Sequence, residues 1–427
     1  MSNRFHCLED FRIESRSRLP KLMFDFIEGA AGNEYAACKN IEALERIRLL
    51  PRVLVNVAKR SLKKRFLGKE WGLPFGIAPM GMCDLAWAGT DKALAKASVQ
   101  HNIPLCHSIA ASSSLELTFD RAGVNTWFQL YVGASLEKAW EHVKRAQETG
   151  YEVLILTVDV PQVAQRIRDL RNGFKVPFRI GPRQFLDFAK HPRWVLETLL
   201  AGVPKTANFD HRNPAIPEGT GSNGFIREET RGKVDWEFLQ RLREIWMGKL
   251  VVKGVLAPQD AVRIKEAGAD AIYVSNHGGR QLDSAPSAVS RLPLIREAVG
   301  NDYPLLFDSG VRNGESVVKA LALGADFVML GRPFLFASGA YKERGVMRLI
   351  ELLTDEVSLT LAQIGCKSVE ELGPKMIIEN KIIFSHHPTH IRVLLRTGTA
   401  VRGGVRRPRE GVTTVCVVRQ IRADRNS

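Results

Sequence analysis

The chain has 427 residues, 45% hydrophobic and 25% charged, a composition that fits a soluble globular protein and excludes collagenous and low-complexity classes. Its net charge of +15 is uneven: residues 381–427 carry ten Lys or Arg against two acids (Glu410 and Asp424), a net +8, which leaves a modest +7 for the body. Six scattered cysteines show no CxxC and no metal-ligand spacing, which points to a reducing compartment and to no bound metal.

Residues 1–19 are polar and mixed in charge and lack the apolar core of a secretory signal. No run reaches the ~20 apolar residues of a spanning helix, so the expectation is a cytoplasmic protein, or one peripheral to the inner membrane on its cytoplasmic face. Helical patterns at 18–28 and 38–46, within 7–65, read as a cap ahead of the first strand. Short apolar segments then recur at 74–78, 104–107, 127–130, 153–157, 250–253, 271–274, 304–307 and 327–330. Helical patterns separate them, at 91–101, 136–149, 258–267, 287–299 and 314–323, with Gly150, Gly268 and Gly324 where C-caps belong. Eight strands alternating with helices predict a (β/α)8 barrel in preference to a doubly wound sheet.

Residues 172–236 form an insertion after strand 4, far longer than an ordinary βα loop, and loops of that size are functional or disordered. Its first part, KVPFRIGPRQFLDFAKHPRWVLETLLAG, mixes Phe185, Phe188, Trp194 and Leu199 with Lys and Arg. Two readings balance: an amphipathic helix lying on an anionic membrane, or a helix packed on the barrel's own surface. The second part, 206–233, is rich in Gly, Asn and Arg and is expected to be mobile. The division expected is one domain over 1–380, with the barrel from about 70, and a basic, poorly ordered tail over 381–427. No motif accompanies the tail's charge, which reads as solvating, and no nucleic-acid partner is expected.

In barrels of this type the working residues lie at the C-terminal ends of strands. Here the third strand ends in Gln129 and Tyr131, the fourth in Thr157 and Asp159 with Arg166 beyond, and the fifth at Lys253. The sixth ends in Ser275-Asn276-His277-Gly278-Gly279-Arg280, the seventh in Asp308-Ser309-Gly310-Val311-Arg312, and the eighth in Gly331-Arg332. Glycines and arginines at the last two strand ends suit a phosphate site. His277 as a base, Asp159 as the partner of its imidazolium and Arg280 as a receptor for a carboxylate form a second sub-site. Lys253 suits either a Schiff-base lysine or a cation facing an electron-rich ring.

SNHGGRQLD resembles the signature of the FMN-dependent alpha-hydroxy acid dehydrogenase and oxidase family, which includes glycolate oxidase, L-lactate dehydrogenase and (S)-mandelate dehydrogenase. Collinear blocks carry the resemblance from about residue 5 to 372: LPKLMFDFIEGA, GIAPMGM, FQLYV, LTVDVP, RIRDLRNGF, VVKGV, DSGVR and ALGADFVMLGR. The resemblance implies that an (S)-2-hydroxy acid is oxidised to the 2-oxo acid, with FMN as cofactor and a quinone or another acceptor taking the electrons. It implies His277 as the base, Asp159 as its partner, Arg280 and Arg166 on the substrate carboxylate and Tyr131 near the substrate hydroxyl. Lys253 would face the flavin N1/O2 edge, Ser108, Gln129 and Thr157 would bond the ring, and Pro79, Met80 and Gly81 would lie near N5. Ser275 would belong to the cofactor site, and Asp308, Gly310, Arg312, Gly331 and Arg332 would hold the ribityl chain and phosphate. A homo-oligomer, a tetramer, is implied as well.

Phe26 stands where this family has a tyrosine that donates to the substrate carboxylate, so altered or weakened substrate binding is expected. Ala110, small where glycolate-using relatives are bulky, leaves room for a larger or aromatic acid such as mandelate, while the HPRW block resembles L-lactate dehydrogenases. Gly81 favours a dehydrogenase over an oxidase that uses dioxygen. Two other readings are a non-redox FMN barrel such as an isopentenyl diphosphate isomerase, and a flavin-binding protein of weakened activity.

Overall fold

The computed structural model describes residues 4–133, 135–174, 181–209 and 234–378. The basic tail and most of the segment expected to be mobile lie outside the described residues.

Eight parallel strands close into a barrel in sequence order, the eighth pairing with the first. They are Phe75–Met80, Leu105–Ser108, Thr126–Leu130, Val153–Thr157, Lys249–Val255, Ala271–Val274, Leu305–Phe307 and Phe327–Leu330. Each falls within two residues of its predicted span, because a strand covered on both faces reads as a nearly unbroken apolar run. In the fourth strand Val153 and Ile155 point into the barrel, while Leu154 and Leu156 face the surrounding helices.

The two mouths of the barrel differ. A hairpin, Lys64–Phe66 with Lys69–Trp71, plugs the N-terminal mouth: Phe66 stacks on Phe327 at 5.3 Å and Trp71 meets Trp127 edge-on at 5.7 Å. Polar residues finish the strands at the opposite mouth, and the chemistry gathers there.

The N-terminal cap differs from expectation. One helix was expected over 18–28; the structure has two, Leu8–Arg18 and Lys21–Glu28. Leu19 is extended (φ −92°, ψ 144°) because the ring of Pro20 disfavours helical geometry in the residue before it. Leu8–Arg18 buries little besides Leu8, Phe11 and Ser15, so its apolar stripe is too thin to read. The third cap helix, Tyr35–Arg46, begins three residues before its expected start.

The first part of the insertion folds as two short helices, Pro182–Ala189 and Pro192–Ala201, each with Pro in its first turn. The reading of a helix packed on the barrel's own surface holds for one face of these helices, and the other face is open to solvent. Trp194 is buried and donates its indole N–H to the Leu85 carbonyl at 3.3 Å, while Phe185, Leu186, Leu196, Leu199 and Leu200 are exposed. The expectation of mobility fails for Thr206–Phe209. Thr206 and Asn208 are buried, and Asn208 accepts from the Leu115 backbone at 2.9 Å and donates to the Ile109 carbonyl at 3.1 Å.

Candidate active site

A cavity of about 570 Å³ opens at the C-terminal mouth and draws its lining from the cap, several strand ends and the insertion. Phe26, Pro79, Met80, Gly81, Ala110, Tyr131, Arg166, Lys253, His277, Arg280, Asp308, Gly310, Arg312, Gly331 and Arg332 all line it. Five sequence-derived candidates do not. Asp159 and Ser275 stand behind the lining, and Ser108, Gln129 and Thr157 form a buried chain below it. Ser108 donates to Gln129 Oε1 at 2.7 Å, and Gln129 Nε2 donates to Thr157 Oγ1 at 2.9 Å.

The centre of the site is an imidazole held at both nitrogens. His277 Nδ1 lies 2.9 Å from Asp159 Oδ1, and Nε2 lies 3.2 Å from the Tyr131 hydroxyl. The backbone N–H of His277 donates to Ser275 Oγ at 3.0 Å, which also accepts from Lys253 Nζ at 3.1 Å. Lys253 Nζ is 3.9 Å from Asp159 Oδ2, so one carboxylate serves both the imidazole and the ammonium. Gly254 permits this approach: at φ +103°, a Cβ there would lie 2.5 Å from that of Asp159.

Burial lowers the basicity of His277 and the charge of Lys253 adds to this, while Asp159 opposes both; the net shift is below the ordinary histidine value. For Asp159 burial acts upward, but His277 and Lys253 outweigh it and hold the carboxyl low. Burial likewise works against the Lys253 cation, and Asp159 and Asp308 more than restore it. The resting site is therefore a neutral imidazole beside a carboxylate and an ammonium, which is the state a general base requires.

Above this centre stand four arginines. Burial presses Arg166 and Arg280 down, and the charges of Arg166 and Arg332 add to the effect on Arg280. Burial, followed by repulsion from a neighbouring arginine, pushes Arg312 down to about 9 and Arg332 to about 10. Arg280 Nη1 donates to the carbonyls of Phe26 and Gly29 at 3.0 and 2.5 Å; Arg332 donates to those of Ile27, Gly278 and Gly29 at 3.2, 2.9 and 2.9 Å. Neutral carbonyls orient these guanidiniums without cancelling their charge. Asp169, 3.8 Å from Arg166 and itself raised by burial, supplies little compensation. Arg166 Nε and Asp159 Oδ2 are buried without a hydrogen-bond partner among the described residues. Such a concentration of buried positive charge calls for anionic ligands.

Sequence reasoning missed the scaffold of this site. Asn40 and Asn276 bond each other, and Asp283 accepts from the backbone of Asn33 and Ala36 at 2.8 and 3.1 Å, which ties the His277 loop to the cap. Ser309, at φ +84°, accepts from the Asn276 and Gly278 N–H groups and donates to Asp308 at 2.8 Å. Asn276, Asp283 and Ser309 were within the quoted motifs, but nothing local shows that they reach across the mouth. Phe174 stacks on Phe26 at 4.3 Å, and Tyr273 lies under Lys253, whose ammonium is 5.3 Å from its ring.

Residues 15–379 match the family model described as FMN-dependent dehydrogenase. The chain is 39% identical over 375 residues to the (S)-mandelate dehydrogenase of Pseudomonas putida, covering 88% of this chain and 94% of that one. It is 36% identical over 369 residues to an L-lactate dehydrogenase of Azorhizobium caulinodans, covering 85% and 96%. Among solved structures, a monotopic membrane (S)-mandelate dehydrogenase aligns with a TM-score of 0.83 at 39% identity, covering 87% of this chain and 99% of that one. A mandelate oxidase with (S)-2-phenylpropionate aligns with a TM-score of 0.73 at 33% identity, covering 87% and 98%.

Proposed function

The chain belongs to the FMN-dependent dehydrogenase family, and from that premise we propose which acid it takes and which residues do the work. It is an oxidoreductase that acts on 2-hydroxy acids with FMN. The observation that carries the residue assignment is His277, backed by Asp159 at 2.9 Å and opening on a cavity that also holds Arg166 and Arg280, the latter oriented by backbone carbonyls.

The residues present fit FMN. Arg312 and Arg332 would hold the phosphate beside Gly331, where the helix beginning at Arg332 adds its N-terminal N–H groups. Asp308 and Gly310 would hold the ribityl chain, Ser108, Gln129 and Thr157 the ring, and backbone at Pro79, Met80 and Gly81 would line the N5 side. When bound, FMN accepts two electrons from the substrate carbon. Lys253, fixed by Ser275, would offset the negative charge that the reduced ring gains.

Arg280 and Arg166 take the substrate carboxylate, and Tyr131 orients the hydroxyl. His277 Nε2 accepts the proton released as the acid is oxidised, and Asp159 stabilises the imidazolium. Arrangement of charge before the reaction lets a weak base work on a much weaker acid.

The substrate is the (S)-enantiomer of an acid with a bulky apolar or aryl side chain. Phe26, Phe174, Leu170, Val163 and Ala110 wall the cavity around the arginines, and such a surface suits a ring better than the methyl of lactate. The reading is tested by mixing FMN-loaded protein anaerobically with (S)- and (R)-mandelate, L-lactate and longer acids. Bleaching near ~450 nm by the (S)-aryl acid at the lowest concentration supports it; no bleaching by any acid at stoichiometric FMN refutes it.

The reading extends to a membrane quinone as acceptor. Among the described residues no helix is long and apolar enough to cross a membrane. The exposed Phe185, Leu186, Leu196, Leu199 and Leu200 instead suit contact with one leaflet, next to Lys and Arg that favour anionic headgroups. By resemblance to its relatives the protein is a homo-oligomer, a tetramer, which sedimentation would test.

A further inference from the structure

The helix Lys21–Glu28 carries Phe26 and ends at the substrate site. Its C-terminal carbonyls hold Arg280, at Phe26 O (3.0 Å), Ile27 O (3.4 Å) and Gly29 O (2.5 Å). The orientation of the proposed carboxylate receptor therefore depends on the last turn of this helix. The helix has only eight residues, so its two ends are not independent.

Its N-terminus lacks a local cap. The N-cap position is Pro20, which has no side-chain oxygen, and the first N–H groups of a helix have no partner within the helix. The missing acceptor comes from the insertion. Asp187 Oδ1 accepts from Lys21 N at 3.1 Å and Oδ2 from Leu22 N at 3.2 Å, across more than 160 residues of sequence. A carboxylate at this place satisfies two donors and complements the positive end of the helix dipole. His191 also faces Asp187, with Nε2 3.9 Å from Oδ1. Further along the helix, Asn172 Nδ2 donates to Asp25 Oδ2 at 2.6 Å and Arg168 holds Glu28 and Glu34, each at 2.5 Å. The helix is thus held along its side by residues after strand 4 and at its N-terminus by the insertion.

We propose that Asp187 is a positioning residue for the substrate site: it caps Lys21–Glu28, and through that helix it sets the place of Arg280 and the Phe26 wall. Asp187 does not line the cavity. It lies next to the exposed Phe185 and Leu186, so the helix that presents this surface of the insertion also caps the helix that holds Arg280.

The inference rests on Arg280 binding the substrate carboxylate, and the test separates the two. Wild type, Asp187→Ala and Asp187→Asn are compared at equal FMN content, measuring KM and kcat for the acid and the dissociation constant of the 2-oxo acid product. Asp187→Ala should raise both KM and the product's dissociation constant about two- to thirtyfold, the range that loss of a cap gives, with kcat within about twofold. Asp187→Asn, which still accepts from an N–H but lacks charge, should recover part of the loss and guards against a folding failure in the Ala variant. Unchanged KM and product binding in both variants overturns the inference, as does a fall in kcat at constant KM. Failure of the Asn variant to recover any affinity overturns the capping account. If wild type oxidises no 2-hydroxy acid, the functional reading fails instead, whatever the variants do.

Discussion

Asn40 and Asn276 exchange two side-chain hydrogen bonds of 2.8 Å each across 236 positions of sequence. Asn40 Oδ1 also accepts from Ala288 N at 3.2 Å, and Asn276 Oδ1 from Gly279 N at 3.1 Å, so the pair fastens the cap to both ends of the loop that bears His277 and Arg280. A buried, fully bonded amide pair is costly to break on one side only. Asn40→Ala and Asn276→Ala should each destabilise the protein by about 1–3 kcal/mol. The double variant should lose clearly less than the sum, since residues in direct contact are not additive. Additive losses in denaturant titrations would mean that the pair does not act as a unit.

The arginine cluster predicts how the apoprotein responds to anions. Four buried guanidiniums with little compensating negative charge repel one another, and a phosphate ester would relieve that repulsion. FMN should raise the thermal midpoint strongly, and inorganic phosphate weakly. Arg312→Met should weaken FMN binding by about 1.5–3 kcal/mol, the range for a charge-assisted hydrogen bond, while leaving the apoprotein as stable or more so. Equal FMN affinity in the variant would remove Arg312 from the phosphate site.

The lowered His277 pKa sets the acid limb of the pH profile. The free enzyme needs a neutral imidazole, and burial, aided by Lys253, makes protonation harder. kcat/KM should therefore stay level as pH falls through the ordinary histidine value of about 6.5 and decline only below it. Asp159 opposes that shift, so Asp159→Asn should move the limb to still lower pH while cutting kcat on the order of 100-fold or more. An acid limb that moves upward in that variant would contradict the assigned pairing.

Phe26 offers a gain-of-affinity test. Its ring lies 5.3 Å from the Arg280 guanidinium and 5.9 Å from that of Arg166. Phe26→Tyr places a hydroxyl among these cations, and a new bond to the carboxylate would lower KM by about tenfold or more at nearly constant kcat. An unchanged KM would indicate that another donor already fills the place.

The exposed face of the insertion makes its own prediction. Leu199→Ser with Leu200→Ser removes apolar area from side chains that meet solvent, so folding should be nearly unaffected. Binding to vesicles containing anionic lipid should fall several-fold, with kcat for a soluble acceptor unchanged. Equal vesicle binding would place the membrane contact elsewhere.

The barrel was legible because each strand carries its own signal, a short apolar run with polar residues at or just beyond its C-terminal end, and because Gly150, Gly268 and Gly324 mark where three of the intervening helices stop. The same local logic made His277, Arg280, Lys253 and Arg312 legible as candidates, and all four line the cavity, since strand ends are where this fold exposes chemistry. Pro20 also announced a break, and reading 18–28 as a single helix overlooked it.

What only the tertiary structure decided are the relations that have no period. Nothing in the sequence around Asp187 says that its carboxylate caps a helix more than 160 residues earlier, nor does Asn40 reveal that its partner lies beside the base. The composition of the insertion was compatible with two surroundings; the fold buried Trp194 and exposed Leu199 within a single helix. Secondary structure and strand-end chemistry follow from interactions between near neighbours, and so the sequence by itself determined them. The electrostatics of the site come from groups that the closed barrel brings together and strips of water, and their strength depends on distances and burial that exist only once the chain has folded.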